Sequence, residues 1–174
     1  MKYLIASDIH GSAYWTERLV AAIESEQPDR IVLLGDLLYH GPRNDLPRDY
    51  APKRVIPLLN ALADRIIAVR GNCDFGADEP ELRLLNLGNV RILMVHGHRY
   101  AVKSSLLRLS LLSQEHRADI TLYGHTHRQD AQWVDQRLVM CPGSVGGARG
   151  SYAVLEVGNG RYDFVLKNKE DLQP

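Results

Sequence analysis

The chain has 174 residues, 45% of them hydrophobic, which suits a single domain over residues 1–174 with a core of real size. Basic and acidic residues balance at 21 each, and no long run of one sign occurs, which excludes a broad electrostatic footprint for duplex nucleic acid or a membrane surface and leaves open a small anionic ligand held by local groups. Two cysteines without CxxC spacing, an initial apolar stretch interrupted by Asp8 and no window near the roughly 20 apolar residues of a membrane span exclude a disulfide framework, a signal peptide and a membrane helix, so a reducing cytoplasm is expected.

Tyr3 to Ala6 reads as a first strand, followed at once by Asp8-Ile9-His10-Gly11. Ser12 is placed to cap a helix in which Trp15, Leu19, Ala22 and Ile23 share a face. Pro28 and Asp29 turn the chain into Ile31-Val32-Leu33-Leu34, an unbroken apolar run expected in the middle of a helix-covered sheet, with Gly35 and Asp36 at its carboxyl end. That end of a strand in an α/β sheet is where ligands bind. Leu37 to Asp49 reads as a long functional loop. Val55, Leu58, Leu59 and Leu62 mark a second helix, in which Pro57 is expected in the first turn or at a kink. Arg65 to Val69 forms a third strand ending in Arg70-Gly71-Asn72-Cys73-Asp74. Leu82 to Leu87, a Gly88-Asn89 turn and Val90 to Val95 read as a hairpin that ends at His96-Gly97-His98. Leu106 to His116 is a packed helix, and Ile120 to Tyr123 a strand opening into Gly124-His125-Thr126-His127. Short strands follow at 131–134, 138–140, 152–156 and 162–166. The sum is two packed sheets covered by helices.

Five separate segments close a strand-like run with a side chain able to bind metal: Asp8 and His10, Asp36, Asn72, His96, and His125 with His127. Any one alone reads as a hydrogen-bonded turn residue. Together they point to one site. Imidazole, carboxylate and carboxamide suit manganese, iron or zinc, and no thiolate forces zinc. Manganese is the first choice, with nickel a further alternative.

The pattern Asp-x-His, Gly-Asp, Gly-Asn-x-Asp, His-Gly and Gly-His-Thr-His resembles the calcineurin-like metallophosphoesterase superfamily and, within it, the small bacterial YfcE-type phosphodiesterases. The resemblance implies an α/β fold, a four-layer αββα sandwich, and hydrolysis of a small phosphodiester. Carried over by position, it implies one metal on Asp8, His10 and His127, a second on Asn72, His96 and His125, and Asp36 bridging them. Two such ions clamp the attacking and leaving oxygens and turn a bound water into hydroxide near neutral pH. A phosphomonoesterase or phosphoprotein phosphatase on the same metals is the alternative, and a non-catalytic scaffold like the retromer subunit Vps29 the second. Homo-oligomerisation is left open.

Two departures stand out. Where many relatives have histidine after Gly-Asn, a residue expected to assist the leaving group, this chain has Cys73, with the usual partner Asp74 retained. A neutral thiol substitutes poorly for a proton-carrying imidazole, so the resemblance is nearer to the diesterases than to the broad monoesterases. The asparagine common before Pro-Gly-Ser is Cys141. Asp36, Asn72, Cys73 and Asp74 are thus the candidate catalytic positions, and His40, Arg43 and His98 the candidate substrate contacts. Pro142 to Gly150 has no Gly-Lys-Ser/Thr ending and reads as a flexible turn rather than a phosphate loop.

Overall fold

The apolar runs divide their side chains between two directions. In a computed structural model, which describes residues 1–147, 150–168 and 170–171, strand β1 (Lys2–Ala6) sends Tyr3 and Ile5 to one face and Leu4 and Ala6 to the other. Strand β2 (Arg30–Leu33) does the same with Val32 against Ile31 and Leu33. Both faces are buried because one lies against a second sheet and the other against helices, so the alternation of a half-exposed strand is absent.

The first sheet has the order β10 (Arg161–Lys167), β9 (Tyr152–Gly158), β1, β2, β3 (Ile66–Ala68), with β1, β2 and β3 parallel. Strand β1 is the central one, and β2 lies one in from the β3 edge, not in the middle. The second sheet runs β4 (Leu82–Leu87), β5 (Val90–Val95), β6 (Ile120–Leu122), β8 (Arg137–Pro142), β7 (Gln129–Val134), with β5, β6 and β8 parallel. Tyr3, Ile5, Val32 and Leu34 meet Ile92, Met94, Ile120 and Leu122 in the seam between the sheets. Helices α1 (Ala13–Glu26) and α2 (Pro52–Asn60) cover the first sheet through Leu19, Ile23 and Val55, and α3 (Leu107–Glu115) covers the second through Leu109. The layers are therefore αββα.

Ser12 caps α1 as expected, its hydroxyl accepting from the Trp15 N–H. Pro57 is not in the first turn, one of the two places expected for it. It sits in the second turn of α2, where the carbonyl of the exposed Lys53 is the one that loses its helical donor. The long stretch after β2 carries no helix or strand, yet it packs: Leu37 and Leu38 lie against the helix-side core, and Tyr50 bridges to Ser12.

Candidate metal centre and active site

Parallel strands of both sheets deliver their carboxyl ends to one edge of the seam. Asp8 follows β1, Asp36 follows β2, Asn72 follows β3, His96 follows β5, and His125 and His127 follow β6. Turning these side chains inward from strand ends bends the backbone sharply: Asp8, His10, Asp36, His125 and His127 have φ of 55°, 52°, 56°, 68° and 59°. Non-glycine residues in the left-handed region cost roughly 1–2 kcal/mol each, so such a concentration marks a place where geometry is held against local preference.

A lattice of bonds holds it. The turn after β1 runs alongside the turn after β2, through Asp8 N–H to Gly35 O (3.0 Å), His10 N–H to Asp36 O (2.9 Å) and Gly11 N–H to Leu37 O (2.9 Å). Asp74 ties in the turn after β3. One of its carboxylate oxygens accepts from Asp36 N–H (2.6 Å) and Gly71 N–H (2.9 Å), the other from Leu37 N–H (2.8 Å). A side chain on Gly71 would run into the Asp36 carboxylate, so only glycine permits this approach.

Three of the inward atoms, Asp8 Oδ1, Asn72 Oδ1 and His96 Nε2, are buried without hydrogen bonds, while His10 Nε2 and His127 Nε2 lie 3.1 Å apart and share one. Oδ2 of Asp8 accepts from Ser7 Oγ–H (2.6 Å) and His125 N–H (3.0 Å), whereas its Oδ1 is buried and unpartnered, 3.1 Å from His127 Nε2 and 3.5 Å from His10 Nε2. His10 donates from Nδ1 to the Tyr39 carbonyl (2.8 Å) and His96 from Nδ1 to the Leu34 carbonyl (2.6 Å), which places a proton on each Nδ1 and leaves Nε2 as the atom that takes either a second proton or a metal ion. Nε2 of His96 is buried without a partner, as is Oδ1 of Asn72. Oδ1 of Asp36 accepts from Cys73 N–H (2.7 Å), and its Oδ2 lies 3.3 Å from His96 Nε2. Among the described residues, ligand atoms of Asp8, His10 and His127 lie within 4.8 Å of one another, as do those of Asp36, His96 and His125, and of His10, Asp36 and Cys73.

The electrostatics follow from this crowding. Burial alone would raise the Asp8 carboxyl, but His96, His10 and His127 hold it well below the usual carboxylate range, and His96 acts likewise on Asp36. Burial would depress His96, yet Asp8 and Asp36 push it up to about 9. His125 goes the other way, lowered to about 4 by burial and then by the charges of His96 and Lys103.

The remaining candidates spread around this core. His98 is half-buried, its ring centroid 5.6 Å from that of His96, with Nδ1 buried and unpartnered. Arg43 is exposed and lines a cleft of about 550 Å³ that opens beside His10 and His127, walled also by Trp15, Asn44 and Ser144. His40 is half-buried with Nδ1 on the Gly41 carbonyl (2.6 Å). Cys73 is buried; its Sγ receives the Asn72 amide N–H at 3.2 Å. The carboxylate of Asp74 faces backbone N–H groups.

Sequence reasoning passed over Ser7 and Ser144. The stretch expected to be a flexible turn is in part a buried buttress: Ser144 Oγ–H donates to Asp8 O (2.8 Å), Gly146 N–H to Asp8 O (3.0 Å) and Val145 N–H to Ser7 O (3.0 Å). A side chain on Gly146 would strike the Ile9 carbonyl. Ala148 and Arg149 of that stretch lie outside the described residues. Polar residues between glycines carry no periodic signal that tells a buried brace from a solvated loop.

The calcineurin-like phosphoesterase superfamily domain matches residues 1–160. Over 168 residues the chain is 39% identical to phosphodiesterase YfcE of Escherichia coli K12, covering 90% of this chain and 88% of that protein. The solved structure of the E. coli phosphoesterase Yfce superposes with a TM-score of 0.76 at 34% identity, over 90% of this chain and 88% of that one. Vps29 of Entamoeba histolytica, solved with Zn²⁺, superposes with a TM-score of 0.74 at 20% identity over 97% and 99% of the two chains, a likeness of fold.

Proposed function

The chain belongs to the calcineurin-like phosphoesterase superfamily, and from that premise we propose that it is a metal-dependent phosphodiesterase, one domain over residues 1–174, acting on a small diester at two divalent ions bridged by Asp36. The observation that carries the reading is the convergence of buried, unpartnered donor atoms, Asp8 Oδ1, His96 Nε2 and Asn72 Oδ1, on one edge of the seam. A buried polar atom without a partner is costly, and a cation relieves that cost. Asp8, His10 and His127 would hold one ion, and Asn72, His96 and His125 the other. The mixed nitrogen and oxygen donors fit manganese first, then iron, zinc or nickel. When bound, such ions supply Lewis acidity to the phosphoryl group and a deprotonated water as nucleophile.

The chain's own residues do the rest. His10 and His96 keep Nε2 aimed inward because backbone carbonyls hold their Nδ1–H groups. Asp74 acts as a positioning residue that locks the Asp36 and Asn72 turns together. Arg43, in the cleft beside His10 and His127, and His98, beside His96, would offer a cation and an N–H donor to non-bridging phosphoryl oxygens. In the metal-free chain burial and the nearby Asp36 carboxylate push the Cys73 thiol up to about 12, which makes it a weaker general acid than an imidazolium. Departing groups that need no protonation are favoured, which supports diesters with weakly basic leaving groups.

The test is turnover of aryl diesters and monoesters by chelated protein before and after manganese is added. We expect no turnover without metal, recovery with manganese, and faster cleavage of the diester. Full activity in metal-free protein would end the reading, and faster monoester cleavage would move it to the phosphomonoesterase alternative. Absence of turnover in protein shown to carry metal would favour the scaffold role that the Vps29 fold likeness raises.

A further inference from the structure

Two of the ligand-bearing turns carry an aromatic side chain outward. Tyr39 lies three residues beyond Asp36 and Phe75 three beyond Asn72, and their ring centroids are 6.2 Å apart with the planes tilted by 53°. Phe75 is 81% exposed, the most exposed large apolar side chain among the described residues, and Tyr39 is 37% exposed. The backbone that carries each is tied to the centre. The Tyr39 carbonyl receives His10 Nδ1–H, and Cys73, two residues before Phe75, has Sγ within 4.8 Å of ligand atoms of His10 and Asp36.

Tyr39 is braced from behind. His40 stacks on it with centroids 4.9 Å apart and planes 28° from parallel, and Tyr50 backs His40 at 5.2 Å. Nδ1 of His40 is held by the Gly41 carbonyl, which fixes the imidazole in this aromatic row. Phe75 has no such role in packing. A phenyl ring left in water contributes nothing to folding, whereas a ring beside a phosphoester centre offers a face on which any flat ring can stack.

We propose that Tyr39 and Phe75 form a stacking surface for an aromatic ring, a nucleobase or an aryl group, carried on one arm of the ester that this site binds. The inference rests on the phosphodiesterase reading and narrows its substrate class to diesters with an aromatic substituent. Stacking of a base on an aromatic side chain is worth roughly five- to a hundredfold in binding.

Binding to the manganese-loaded protein, measured by calorimetry, separates the ring from the phosphate. Thymidine 5′-monophosphate is compared with ribose 5-phosphate, and phenyl phosphate with methyl phosphate. In the native protein the ring-bearing member of at least one pair should bind roughly five- to a hundredfold more tightly. Phe75→Ala should bring that ratio close to one, and Phe75→Trp should keep it. A preference confined to phenyl phosphate assigns the surface to aryl esters, and one confined to the nucleotide assigns it to nucleobases. Ratios near one in the native protein, or ratios that survive Phe75→Ala combined with Tyr39→Ala, overturn the proposal. Binding is read without turnover, so a protein that cleaves diesters but shows no ring preference refutes the stacking surface alone. One that prefers the ring but cleaves no diester refutes the phosphodiesterase reading alone.

Discussion

Replacing Asp74 distinguishes a carboxylate that positions the centre from one that takes part in the chemistry. Its two oxygens accept three backbone N–H groups at 2.6, 2.8 and 2.9 Å, from Asp36, Leu37 and Gly71. Hydrogen bonds to a charged acceptor contribute about 1.5–3 kcal/mol each. Asp74→Asn can keep its carbonyl oxygen on Asp36 and Gly71, but its amide then sets a donor against the Leu37 N–H. One charged bond is lost and two are weakened, for a cost of about 2–4 kcal/mol. In a chain of this length that lowers the melting temperature by roughly 5–15 °C. Asp74→Ala abandons all three donors and should cost more. Both variants should unfold early in the metal-free state, bind manganese more weakly, and regain part of their turnover at saturating metal. Thermal unfolding with and without metal, together with metal titration, measures each quantity. Unfolding at the native temperature would refute the positioning argument. So would loss of turnover at full metal occupancy with native stability, which would assign Asp74 a part in the reaction itself.

Other substitutions test the centre from different sides. Asp36→Asn should lose more metal and more turnover than His125→Ala, by on the order of 100-fold against the native protein, because the carboxylate faces both ligand groups; normal metal content and turnover would remove it from the bridge. Cys73→His, with metal occupancy matched, should raise kcat/KM for alkyl esters more than for nitrophenyl esters, since general-acid assistance is typically worth 10²–10⁴-fold and good leaving groups need little of it. An unchanged alkyl-to-aryl ratio would show that the missing imidazole does not set the preference. The buried Cys141 thiol is pushed from 9.0 up to about 12 by burial, so a thiol-specific disulfide reagent at pH 8 should titrate it only after unfolding. Its folded-state pKa is raised, so its contribution to stability is intact below pH 9 and is lost by about 1.4 kcal/mol per pH unit as pH climbs from 9 toward 12. A native-state reaction at pH 8 as fast as in denaturant would contradict that burial.

Much of the fold could be read because local chemistry and tertiary role agree. The Ser12 cap and the apolar face of Trp15, Leu19, Ala22 and Ile23 make a helix whatever surrounds them, and Gly88-Asn89 between two β-rich runs makes a hairpin. Strand order was not legible: an apolar run buried on both faces looks the same at the centre of a sheet and one place from its edge, which is how β2 misleads. In the site, the side chains that converge were nominated by type and by position at strand ends, because few residue types ligate metal. Supporting residues lacked that restriction. Asp74 contacts main-chain N–H groups up to 38 residues away, and any N–H serves a carboxylate, so nothing in the sequence names its partners. Ser144 reaches Asp8 across 136 residues for the same reason.

The centre draws its side chains from both sheets, across a seam otherwise filled with hydrocarbon. Apolar contact is non-directional and lets two sheets glide by fractions of an ångström at little cost, whereas coordination tolerates almost no such play. The His96 imidazole reaching the Leu34 carbonyl and the His125 N–H reaching the Asp8 carboxylate cross that seam, and they act as dowels that stop the halves from sliding. Alignment of the sandwich and alignment of the ligands are therefore one adjustment. A substitution deep in the seam that shifts one sheet against the other, without touching a single ligand, detunes the centre as surely as a change at a ligand does.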